Sequence, residues 1–115
     1  MAANLDNGVI LGALGSLHTD GTGAVKPPAG MVIAAIQFLS KNIPTALVAE
    51  NADKFFSTAH AANSLGAGSE TVDEGSGGIA LSGAEFPAGM TIYGRWTTAT
   101  FAGDDDGGVI CYFGY

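Results

Sequence analysis

Two histidines, a single cysteine and a run of three aspartates are the side chains here with the most obvious capacity for chemistry. Ser16-Leu17-His18 would carry a hydroxyl and an imidazole on one side of a strand, the arrangement a nucleophile and its base need. Sequence adjacency alone has little specificity, however. Neither His18 nor His60 belongs to an H-x-x-x-H pair, a Gly-x-Ser-x-Gly elbow or a Cys-His spacing. Cys111 lies in the apolar run Val109-Ile110-Cys111-Tyr112-Phe113, with no His, Lys or Arg beside it to favour a thiolate, and reads as a small buried hydrophobe. Asp104-Asp105-Asp106 brings hard-ion ligands together, but a calcium loop of the helix-loop-helix kind needs alternating ligands and a Glu at its twelfth position. Counted from Asp104, that position is Tyr115. The aspartates read instead as a solvated turn whose glycines supply positive φ, and Glu70, Asp73 and Glu74 as a solubilising patch. Gly12-Ala13-Leu14-Gly15 is followed by no Lys-Ser/Thr pair and is no phosphate loop. The expectation is a protein that is not an enzyme, with no catalytic residue, metal or cofactor. A small lyase or hydrolase using His18 or His60 is the catalytic counter-reading.

Such residues need elements to hold them, and the punctuation of the chain is that of a β protein. Six strand-like runs are separated by Gly, Pro, Asn and Asp: Gly8 to Leu17, Met31 to Leu39, Thr45 to Ala49, Ile79 to Leu81, Met90 to Phe101 and Val109 to Tyr115. The polar stretch His18 to Gly23 reads as the turn closing the first. Between the third and fourth runs, Phe55, Ala59, Ala62 and Leu65 recur near helical spacing behind a possible Asn51 cap, yet Ser57, Thr58, Asn63 and Ser64 are poor helix formers. Helix and irregular loop stay equally open there. Residues 66 to 78 form a Gly, Ser and acidic connection. One internal echo stands out, since Pro28-Ala29-Gly30-Met31-Val32-Ile33 and Pro87-Ala88-Gly89-Met90-Thr91-Ile92 agree at five of six positions. Each is a turn feeding a strand, with Pro expected at i+1 and Gly at i+3 of a type I turn. The fold class expected over residues 1 to 115 is all-β: one compact antiparallel β-sandwich or jelly-roll-like domain with one long polar loop or short helix.

Composition narrows the partners. The chain has 115 residues, a net charge of −7 from 4 basic against 11 acidic side chains, and no basic patch, so a nucleic-acid partner is disfavoured. Only 13% of residues are charged, against roughly 25% in an average soluble domain. Mean hydropathy is nevertheless +0.29. A surface so short of charge is most simply one covered by protein. Val9 to Leu14 is too short for a membrane span and lacks the basic flank of a signal peptide, so synthesis and folding in a cytosol are expected.

The last two runs say where the cover falls. Met90, Ile92, Gly94, Trp96, Thr98 and Thr100 alternate with Thr91, Tyr93, Arg95, Thr97, Ala99 and Phe101, and Val109, Cys111, Phe113 and Tyr115 with Ile110, Tyr112 and Gly114. Neither face of the expected C-terminal hairpin is cleanly polar. One face therefore packs on the core and the other on another subunit. Tyr93, Trp96, Tyr112, Phe113 and Tyr115 are the expected contact residues, and Arg95, the single Arg, is expected to meet an acidic residue across that interface.

The stretch Phe86-Pro87-Ala88-Gly89-Met90-Thr91-Ile92-Tyr93-Gly94-Arg95-Trp96-Thr97-Thr98, followed by a Gly-rich turn and Val109-Ile110-Cys111-Tyr112-Phe113-Gly114-Tyr115, resembles the C-terminal region of small virion proteins of tailed bacteriophages, notably those of marine and cyanobacterial hosts. Several of these are decoration or cement proteins that clamp the capsid exterior. The resemblance covers about 30 residues strongly and the remainder in style. It implies a β-sandwich or jelly-roll-like subunit, often trimeric, made in the host cytoplasm and bound to the major capsid protein at local symmetry axes of the shell. It carries no catalytic residue. A different class of protein, a phage fibre knob or adhesin binding host glycans through exposed aromatics and the excursion from Ala52 to Gly78, is the alternative.

Overall fold

In a computed structural model of the chain, residues 13–51, 54–58, 78–103 and 107–115 are described. Five strands form: β1 (Ser16–Thr19), β2 (Val32–Phe38), β3 (Pro44–Ala49), β4 (Thr91–Phe101) and β5 (Val109–Gly114). All pair antiparallel in one sheet of order β1-β5-β2-β4-β3. The chain is all-β, as its punctuation implies. No helix among the described residues is long and apolar enough to cross a membrane.

Strand order corrects the hairpin reading. β4 and β5 are consecutive in sequence, but β2 lies between them, pairing Ile36 with Ile92 on one side and with Cys111 on the other. The reason lies in the residues of β2, Val-Ile-Ala-Ala-Ile-Gln-Phe, which is apolar on both faces; Val32, Ile33, Ala35, Ile36 and Phe38 are all buried. A strand so composed is stable only in the middle of a sheet. The expected run Ile79 to Leu81 is also not a strand. It is a loop in which Leu81 donates its N–H to the Ser57 carbonyl, and Leu81 leans on the core. β1 starts later than expected and takes in His18 and Thr19, while residues 1–12 lie outside the described part. Of the helix-or-loop stretch, the described part is a turn, with Phe55 N–H on the Asn51 carbonyl, after which Thr58 runs beside β3. Residues 59–77, which include all of the polar connection but Gly78, are outside the described part.

Both Pro-Ala-Gly copies do feed strands, β2 and β4. Their geometry differs from the type I expectation. Met31 donates to the Pro28 carbonyl and Met90 to the Pro87 carbonyl, so Pro stands at i and Gly at i+2. Gly30 and Gly89 have φ of 81° and 88°, the left-handed value that position i+2 of a type II turn demands and that glycine adopts without steric cost.

One face of the sheet carries the core. Ile33, Ile36, Phe38, Leu47, Trp96, Ala99, Phe101, Val109, Cys111 and Phe113 cluster there with Val25, and Phe56, Leu81 and Phe86 pack against them from loops. Where a sandwich would supply a second sheet, the described residues supply these loop side chains, tied down by main-chain bridges Val25 to Ala99 and Asn42 to Phe86. Phe86 stacks on Phe38, with ring centroids 5.0 Å apart, and Phe56 meets Trp96 edge-on at 5.4 Å.

Trp96 is wholly buried, and its Nε1–H donates to the Phe56 carbonyl at 3.1 Å, so the indole fastens the 54–58 segment to the sheet. Its ring lies over Gly94, where an added Cβ would stand 2.6 Å from Cζ2. A side chain at 94 must therefore push the indole out of its place. Gly94→Ala is expected to cost about 1–3 kcal/mol by overpacking, seen as a lower urea midpoint with unchanged slope; a midpoint equal to wild type would show that the Trp96 site has slack.

Candidate contact surface

The opposite face of the sheet is assembled by register. Ser16 pairs with Tyr112, Tyr112 with Ala35 and Ala35 with Tyr93, so these four form one row across β1, β5, β2 and β4. A second row runs His18, Ile110, Gln37, Thr91. Further along, Val48 of β3 pairs with Thr98 and stays exposed. Tyr93 stands 65% exposed at the end of the first row. Tyr112 is half-buried, and its hydroxyl donates to Gln37 Oε1 at 3.0 Å, which ties the phenol to β2. The rows hold aromatic, aliphatic, hydroxyl and amide groups but no carboxylate and no ammonium. Beyond Tyr93 on the same face stands Arg95, paired with Glu50.

The six expected contact residues divide. Tyr93 and Tyr115 are exposed, and Tyr112 is partly so. Trp96 and Phe113, at 0% and 5% exposure, belong to the chain's own core and have no surface to offer a partner. Arg95 meets an acidic residue within its own chain rather than across an interface. Its Nε donates to Glu50 Oε1 at 2.7 Å, Nη2 to Oε2 at 3.3 Å, and Nη1 to the Tyr115 main-chain oxygen at 2.8 Å. From β4, Arg95 thereby ties the end of β3 on one side to the end of β5 beyond β2 on the other. Glu50 and Gln37 escape a reading of the sequence. Gln37 is the single polar residue in the apolar run of β2, a hint of its role, whereas nothing near Glu50 signals a partner 45 positions away.

Other chemistry-bearing residues resolve as follows. His18 Nε2 lies 2.6 Å from the Gly107 carbonyl, an acceptor only, so that nitrogen carries the proton and the ring is committed to holding the β5 turn. His60 and Asp104 to Asp106 lie outside the described residues. Cys111 is buried, and desolvation pushes its thiol up to about 12. A shallow cleft of about 340 Å³ between β3 and the 78–86 loop is lined by Ile43, Pro44, Thr45, Thr58, Leu81 and Ser82, none of them ionisable. No family model, curated protein or solved structure matches the chain.

The Cys111 thiol is expected to resist a water-soluble disulfide reagent while the chain is folded and to react stoichiometrically in urea; prompt labelling in native buffer would contradict its burial. Glu50 is held below the usual carboxylate range, chiefly by the Arg95 hydrogen bond and further by its charge, against some desolvation; the same bond raises Arg95. Because the folded value is depressed, this stabilisation is present above the ordinary Glu range and is lost as pH falls through the folded value. Glu50→Gln should therefore lower the melting temperature at neutral pH, converge on wild type in acid, and lose its effect in high salt. A pH-independent difference would argue that Glu50 acts by packing.

Proposed function

We propose that this chain is a non-enzymatic structural component of a virus particle, a capsid decoration protein that binds the outer shell of a tailed phage and stabilises it. The observation that carries this reading is the pair of rows without formal charge on the sheet face opposite the core, one holding Tyr112 and Tyr93 and the next Ile110, with the Arg95 to Glu50 pair beyond them. A sheet face in contact with water alone alternates towards charged and polar side chains, whereas this one carries rings and aliphatic groups fixed by a Tyr112 to Gln37 bond. The segment that resembles phage virion proteins also supports the reading, because it builds β4 and β5, the strands that present Tyr93 and Tyr112.

Shell binding needs neither a catalytic group nor a cofactor. It needs a rigid surface that fits one state of the shell better than another; occupancy then stabilises that state by mass action. Tyr93 is the anchor in this scheme, an exposed ring on a strand held from both sides. The oligomer that the resemblance implies, three copies about a local axis on the major capsid protein, would use the same face or its rim at Tyr115.

Purified protein mixed with expanded, undecorated shells of a tailed phage is expected to co-sediment and to raise their melting temperature. Tyr93→Asp should weaken binding by about thirtyfold or more, the loss expected for a central aromatic anchor. Absence of co-sedimentation, together with binding of the isolated protein to glycans on an array, would replace this reading by the adhesin one.

A further inference from the structure

β1 ends at Thr19, and the chain leaves the sheet through Asp20 and a bend at Gly21, both exposed. The Gly21 N–H donates to Thr19 Oγ1 at 3.2 Å, a bond to a side chain two residues back. No described atom lies within 4 Å of the place a Cβ would take at Gly21, and φ there lies outside the left-handed region. An aspartyl carboxyl followed by glycine is the pair in which a main-chain nitrogen most readily reaches its neighbour's side chain. Glycine has no Cβ to obstruct the approach, and its backbone turns at least steric cost.

We propose that Asp20-Gly21 is a site of spontaneous isoaspartate formation, and that the conversion loosens β1 from β5. The Gly21 nitrogen attacks Cγ of the Asp20 carboxyl in its protonated form. A C–N bond forms, the bond from Cγ to the hydroxyl breaks, and the hydroxyl leaves as water with the amide proton, giving a cyclic imide. Water then opens the imide. Attack at Cγ restores aspartate. Attack at the former main-chain carbonyl breaks its bond to the Gly21 nitrogen, routes the chain through Cβ and Cγ, and leaves a carboxylate on Cα. One water departs and one returns, so mass and net charge are unchanged and water is the sole co-reactant.

The fold holds this point too tightly to absorb the change. Thr19 and Asp20 lie main chain against main chain on Gly108, where an added Cβ would overlap the Thr19 carbonyl oxygen and stand 2.8 Å from Asp20 Cα. Gly108 is fixed from its other side, its carbonyl accepting the Leu39 N–H at 2.9 Å and its own N–H donating to Ser40 Oγ at 3.1 Å. Beyond Gly21 the chain is fixed again at Val25, which exchanges main-chain bonds of 2.7 and 3.0 Å with Ala99 of β4. Residues 20 to 24 are therefore a short tether between two held points. Isomerisation lengthens that tether by one main-chain atom and sets a carboxylate on the carbon that touches Gly108, so the tether has to lift from Gly108. The contacts beside it, Thr19 paired with Val109 and His18 Nε2 on the Gly107 carbonyl, are lost with it.

Asn7-Gly8 and Asp106-Gly107 are pairs of the same type whose first residues lie outside the described part, so the test has to locate the change. The full chain is kept folded at neutral pH for weeks. Isoaspartate is then counted with an isoaspartyl methyltransferase and a labelled methyl donor, and placed by electron-transfer fragmentation of the peptides. Isoaspartate is expected to accumulate at position 20 in folded wild type. Gly21→Ala, which the open space and the φ both permit, should slow it by about tenfold or more. Aged wild type should exchange the amide hydrogens at the start of β5 faster than fresh protein. Isoaspartate that forms at 20 in urea but not in the folded chain, or that is confined to positions 7 and 106, overturns the proposal, as does an equal rate in folded Gly21→Ala. If that variant does not fold, the wild-type map alone decides, by isoaspartate at 20 or none. Unchanged exchange at the start of β5 in converted protein overturns the loosening of β1.

Discussion

The structure depends on a change of step inside β4. In a regular strand, residues two apart share a face, so Trp96 would lie with Thr98 and Thr100, and Ala99 with Tyr93. Yet Trp96, Ala99 and Phe101 are all in the core. The register against β3 gives the device: Val48 pairs with Thr98 but Ala49 pairs with Trp96, so Thr97 is an extra residue on β4. This bulge lets one eleven-residue strand send its indole into the core at its middle and a phenylalanine there at its end, while Tyr93 and Arg95 stay outside. A matching irregularity at Ala34 of β2 puts Ile33 and Ile36, three apart, on the same core face. Without these two steps the central strands could not fill one core and leave one continuous opposite face.

That constraint also separates what the sequence reveals from what it hides. Strands β2 to β5 fall within a residue or so of the apolar runs that announce them, because composition and flanking glycines and prolines are local properties. The two Pro-Ala-Gly turns are legible for the same reason, although the hydrogen bonds place Pro one position earlier in the turn than the pattern suggests. β1 is not legible at its end: His18 and Thr19 look like turn residues, because an edge strand tolerates polar side chains. Alternation sets Trp96 and Tyr93 on opposite faces without saying which meets the core, and it sets Ala99 and Phe101 with Tyr93, an error that the bulge at Thr97 corrects. Phe113 is misread differently, since both faces of its run carry rings and nothing local says which of them meets the core.

Long-range pairing is the other hidden layer. Sequence neighbours β4 and β5 look like a hairpin, and the Gly-rich turn between them encourages that. The strand that separates them ends 53 residues before β4 and 71 before β5, and it wins because its apolar side chains are best covered in the central position. Burial thus outweighs the low loop-closure cost of a local hairpin, since doubling a loop costs only about 0.6 kcal/mol whereas each buried Ile or Phe contributes about 1.5–3 kcal/mol. The Arg95 contacts are a consequence of the same topology: Glu50 comes from the end of the neighbouring strand β3, and the Tyr115 main chain from the end of β5, on the other side of β2.

The contact of Thr58 with β3 has a further physical consequence. An exposed sheet edge can add further strands, which is the route to uncontrolled association. Here the outer side of β3 is met at Leu47 by Thr58, from the segment that Trp96 itself anchors through the Phe56 carbonyl. The core tryptophan and the guard on β3 are in this sense one structure: the indole that fills the core also holds in place the segment that bonds to the outer strand of the sheet.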